Sequence, residues 1–190
     1  MVEKLRIKIE KILLIGLLIP IIGIALSYYS NFNWIYDDLS FLGNVNPLFN
    51  IGLMASGLIL FFFTKTTLTR IYIGAVAHFL MVTASVSVIL TGLIRNKANY
   101  PLHFACAACF FFALANAQLV LGKAIIKSKR SLGVFSIVVS IVNYIIWGIF
   151  FIAWIFDHSI GYAIPELLYM IITLVWIFVF IFIYNSEQKV

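Results

Sequence analysis

Apolar residues run in long blocks along this chain, separated by short polar stretches, and six blocks are long enough to cross a bilayer. They cover about residues 10–29, 47–64, 70–94, 101–122, 132–156 and 164–184. A spanning helix needs about 20 mostly apolar residues. Backbone inside hydrocarbon finds no water to bond, so each block predicts an α-helix whose peptide groups bond within the segment. Short strands of alternating polarity, the mark of a membrane β-barrel, are not visible. The pattern predicts an all-α, polytopic integral membrane protein: one bundle of six transmembrane helices over residues 1–190, without a soluble domain. Most connections are a few residues long, which makes neighbouring helices antiparallel. The exception is the segment from about 30 to 46, dense in Asn, Asp, Ser and aromatic residues and free of basic ones.

Prolines fit the same register. Pro47, Pro101 and Pro165 fall at or near the first turns of the second, fourth and sixth blocks, where the missing N–H of proline is no loss. Asn46 and Asn99 stand just upstream as caps. Pro20 falls inside the first block and predicts a kink there.

Composition agrees. Of 190 residues, 64% are hydrophobic and 11% charged, against about 45–50% and about 25% in soluble domains. A soluble core of this size cannot hide that excess, and a disordered chain would be far more polar. The net charge of +6 would suggest nucleic acid as a partner of a soluble protein. Here it reports topology, because Lys and Arg collect on the cytoplasmic side of membrane proteins. Eleven of the 13 basic residues fall at the N-terminus, in the 65–70 and 123–130 connections and at the C-terminus; only Arg95 and Lys97 fall on the other side. The expectation is a multi-pass protein of the cell membrane with both termini cytoplasmic. Asp37, Asp38, Asp157 and Glu166 then lie outside, with an aromatic belt of Tyr28, Tyr29, Trp34, Tyr36, Tyr100, Trp154 and Tyr162. The first block follows a basic N-terminus as a signal peptide does, but its apolar stretch is too long and no cleavage motif follows, so it reads as an uncleaved helix. Membrane lipids are the expected partners, and the cluster Lys123, Lys127, Lys129 and Arg130 would attract anionic headgroups as a secondary effect. No nucleic-acid partner and no cofactor are expected.

The unusual polar groups gather at the predicted outer ends: Asp37, Asp38, Ser40, Asn44, Asn46 and Asn50, then Arg95, Asn99 and His103, then Asp157, His158 and Glu166. Ionisable residues at membrane depth are costly and face a bundle interior or a wet cavity. Asp38, Ser40, Asn50, His103 and Glu166 are therefore the candidate ligand-binding residues of an outward-facing pocket, fitted to a lipid headgroup or small amphiphile. An alternative is a lipid hydrolase, metal-dependent or not, with His103 and a carboxylate as acid, base or metal ligand; no HExxH-type spacing accompanies it. A further alternative is a small transporter with His78 as a mid-membrane proton carrier. The bland reading makes the aspartates solvated loop charges and His78, Asn116, Gln118 and Asn143 hydrogen-bonding groups between helices. Cys106 and Cys109 form a C-x-x-C in the fourth block. Without a second pair to pass electrons on, they read as small packing residues beside an alanine-rich face.

The phrases Asp38-Leu39-Ser40 with Gly43, Phe49-Asn50 with Leu53 and Gly57, and the Gly92-to-His103 connection followed by Phe110, Phe111 and Phe112 carry a resemblance. They resemble a six-helix membrane family of archaea and bacteria, domain of unknown function nine-nine-eight. That family is distantly similar to the Frag/DRAM/Sfk group, associated with lipid and GPI-anchor handling. The resemblance spans nearly the whole chain. It implies the fold and topology above, hints at lipid-related work, and carries over Asp38, Ser40, Asn50 and His103. The cysteine pair is not part of its pattern.

Overall fold

In the computed structural model, residues 19–27, 32–66, 68 and 74–187 are described. Among them are seven α-helices and no strand. They are α1 (Ile19–Ser27), α2 (Leu42–Val45), α3 (Pro47–Thr66), α4 (Gly74–Leu93), α5 (Tyr100–Ile125), α6 (Arg130–Phe156) and α7 (Ala163–Glu187). A 3-10 turn, Leu39–Phe41, leads into α2. Five helices, α3 to α7, are long and apolar enough to cross a membrane, and their limits follow five of the six apolar blocks. The first block is represented by α1; its earlier turns, where a kink at Pro20 would show, lie outside the described residues, as do Tyr28 and Tyr29.

The proline and asparagine signals account for the helix starts. Pro47 opens α3 and Pro101 is the second residue of α5. Asn46 Oδ1 accepts from the Leu48 N–H at 3.0 Å, and Asn99 Oδ1 from the Leu102 N–H at 3.2 Å. Each cap satisfies a donor that the first helical turn leaves open.

Polarity across the bundle is that of a protein in lipid. Large apolar side chains cover its outside, among them Phe62, Phe79, Phe112, Ile149 and Phe182, far more than a monomer in water exposes. Its interior holds serines and amides that join helices. Ser140 Oγ donates to the Ala115 carbonyl at 2.8 Å, Asn143 Nδ2 to Gln118 Oε1 at 3.1 Å, and Trp176 Nε1 to Ser136 Oγ at 2.9 Å. Such bonds and close packing hold helices together where burial from water offers little. Asn116 departs from expectation: its side chain donates to the Phe112 carbonyl of its own helix, 2.8 Å away. Small residues set the closest approach. A Cβ on Gly57 would lie 2.8 Å from the Ser85 carbonyl, so α3 and α4 touch only because glycine stands there. By contrast, α7 has its closest backbone approaches to α6 and the 3-10 turn. It stands off from α3 and α5, and aromatic side chains such as Trp176 against Phe63 bridge part of that gap.

The connections bearing Asp37, Asp38 and Asp157 and the first turn of α7 with Glu166 lie at one end, here the acidic end; Lys65, Lys123, Lys127 and Arg130 mark the other, the basic end.

Candidate functional site

Three connections lock together at the acidic end. The Gly161 N–H donates to the Ile35 carbonyl at 2.8 Å and the Ala163 N–H to the Asp37 carbonyl at 3.1 Å. A Cβ on Gly161 would run into Asp37 backbone, so this pairing needs glycine. Asp38 Oδ1 accepts from the Tyr162 N–H at 3.0 Å. Glu166 Oε2 accepts from the Leu39 N–H at 2.8 Å, at the start of the 3-10 turn, and the Ser40 amide faces the same carboxylate. Open N–H groups at the start of a helical turn favour an anion. From the 94–99 connection, Asn96 Nδ2 donates to Ser40 Oγ at 2.9 Å and the Lys97 N–H to Asn44 Oδ1 at 3.1 Å. Leu39 and Leu42 turn inward beneath this lid and pack with Phe32, Phe49 and Ala163.

His103 sits in the first turn of α5 and is only 3% exposed. Its Nδ1 is 2.6 Å from the Ile94 carbonyl. A carbonyl only accepts, so Nδ1 carries the hydrogen and donates, which leaves Nε2 as the free position of the ring. Burial pushes the Asp38 carboxyl above the usual carboxylate range, opposed by the Tyr162 N–H and the nearby His103 and reinforced by Asp37. Asp157 is held below that range by the Ser159 hydroxyl and amide, which donate to its Oδ1 at 2.6 and 3.0 Å.

Beneath the lid, the space between α3, α4, α5 and α7 forms a cavity. Ser40, His103 and Glu166 line its acidic end; Phe49, Leu53, Leu60, Phe110, Met170 and Ile177 line the shaft below. From Glu166 to Ile177 is about 16 Å along α7 at 1.5 Å per residue. The centre of a water-sized sphere has about 100 Å³ to move in, room for several waters or a length of hydrocarbon chain. Of the polar residues on the shaft, Ser56 donates to the Gly52 carbonyl at 2.7 Å and Thr91 to the Ser87 carbonyl at 2.8 Å. Thr173, 7% exposed, does not: its hydroxyl is buried without a partner.

The sequence candidates divide. Ser40, His103 and Glu166 come together on the cavity, and Asp38 stands beside them holding Tyr162. Asn50 is elsewhere: its Nδ2 donates to the Gly43 carbonyl at 2.9 Å and braces α2 against α3. Thr173 was not a candidate, since no local sequence pattern marks a threonine that forgoes its own helix carbonyl. His78 is corrected as a mid-membrane group. It lies in the opening turns of α4 at the basic end, where Lys65 Nζ donates to its Nε2 at 3.3 Å. Among the described residues no three His, Cys, Asp or Glu side chains gather closely enough to hold a metal ion, so the metal-dependent hydrolase has no ligand set there. Cys106 and Cys109 are free thiols, the second exposed on the outside of α5.

Apolar spans, polar interior contacts and a lidded cavity define a multi-pass helical membrane protein. A family model matches residues 12–183, that of the protein of unknown function DUF998. The chain belongs to that family. Nothing among curated proteins and nothing among solved structures matches it.

Proposed function

We propose that this protein binds an amphiphile, a lipid or a lipid-like small molecule, with its polar head under the lid at Ser40, His103 and Glu166 and its chain in the shaft. The observation that carries this reading is the division of one cavity into a polar end and an apolar length. Ligand sites are mostly apolar with a few fixed polar groups, and here those groups are immobilised: Glu166 by the 3-10 turn, Ser40 by Asn96, His103 by Ile94. The His103 Nε2 is left to meet a ligand. Binding is favoured over hydrolysis because the Nδ1 of His103 is held by a carbonyl, not a carboxylate, so no acid orients the ring as a general base. The positive-inside distribution supports six spans with the acidic end outside the cell and both termini in the cytoplasm. Mass spectrometry of lipid extracted from gently purified protein tests the reading. One amphiphile class enriched near one per chain is expected; a profile equal to that of the bulk membrane overturns it.

A further inference from the structure

Resting on that reading, we propose that the head of the bound amphiphile is an ammonium group, taken by Glu166 with Asp38 behind it. Among the described residues, no lysine or arginine side chain pairs with the acids of the lid. The titratable neighbour of Glu166 is Asp38, and those of Asp38 are His103 and Asp37. Arg95 and Lys97, from the connection at the same end, are exposed and form no ion pair with either carboxylate. Two carboxylates facing one imidazole leave the site short of positive charge, and an ammonium supplies it with three N–H donors. An anionic head would instead oppose the ionisation of both carboxyl groups in a poorly hydrated space.

One buried polar atom points to an occupant independently of the acids. Thr173 is 7% exposed, and its hydroxyl on the shaft is unpartnered. A buried hydroxyl left unbonded costs about 1–3 kcal/mol. Thr173 lies about 10 Å below Glu166 along α7, so the occupant carries a second hydrogen-bonding atom, or a water, at that depth.

The test is titration calorimetry of the full chain in a neutral maltoside detergent with three probes: dodecylammonium, dodecanol, and lyso-phosphatidylethanolamine, whose ammonium sits next to a phosphate. A hydrogen bond to a charged group is worth about 1.5–3 kcal/mol, so dodecylammonium is expected to bind at least about tenfold tighter than dodecanol. Glu166→Gln should bring that ratio close to one, and Asp38→Asn should lower it. Tighter binding of the lyso-lipid than of the simple amine would identify a lipid headgroup as the source of the ammonium. Equal affinity of wild-type protein for the amine and the alcohol overturns the charge assignment and leaves the amphiphile site standing. Failure of all three probes to bind overturns both. The wild-type comparison decides the matter even if a variant does not fold.

Discussion

Ala107 lines the shaft one helical turn below His103, and Ala107→Leu would push three carbons into the void. The centre of a water-sized sphere has about 100 Å³ to move in there, and at about 24 cal/mol per Å³ of cavity, filling it is worth at most about 2.4 kcal/mol. A chain of this size gains about 2–4 °C per kcal/mol. Delipidated Ala107→Leu protein in detergent should therefore melt above wild type, by at most about 5–10 °C, followed by circular dichroism. Adding back the amphiphile should narrow or reverse the difference, because binding stabilises only the form that binds. A variant that melts lower than wild type when lipid-free, or retains as much extracted lipid, would refute the reasoning, because the shaft would then be neither empty nor the binding site.

Asn143→Leu strands Gln118 in the interior, where the Gln118 Nε2 already lacks a partner; a loss of about 1–2 kcal/mol in unfolding measurements is expected, and the double variant with Gln118→Leu should recover most of it. Gly57→Leu forces α3 from α4 against the Ser85 carbonyl and should cost at least about 1–3 kcal/mol, seen as a lower melting temperature. Asp38 holds its proton more tightly folded than unfolded. Its stabilising contribution is thus complete below the ordinary carboxylate range and lost as pH rises through the raised value. Asp38→Asn keeps an acceptor for the Tyr162 N–H and cannot ionise, so its stability relative to wild type should increase as pH rises above the ordinary carboxylate range; a decrease over that rise would contradict the burial argument.

The apolar helices were legible because hydrocarbon allows little else, and Pro47, Pro101 and Pro165 put three of their starts within two residues. The gathering of Ser40, His103 and Glu166 was legible in outline, since all three follow from which ends share a side. The lid was not: Leu39-Ser40-Phe41-Leu42 sits within a polar, aromatic stretch, and only the facing Glu166 and Asn96 explain why it winds into a 3-10 turn and a short helix. Asn50 looked like a pocket residue because its partner, the Gly43 carbonyl, comes from that unanticipated turn. His78 looked mid-membrane because the apolar block runs on before Gly74, whereas α4 begins there.

An experimental density map of the protein in lipid nanodiscs tests the central claim most directly. Elongated density should run from the lid at His103 and Glu166 past Thr173 to Ile177, thick at the lid and thin below. A shaft holding only separate water peaks, or closed by the side chains of α3 and α7, would contradict it.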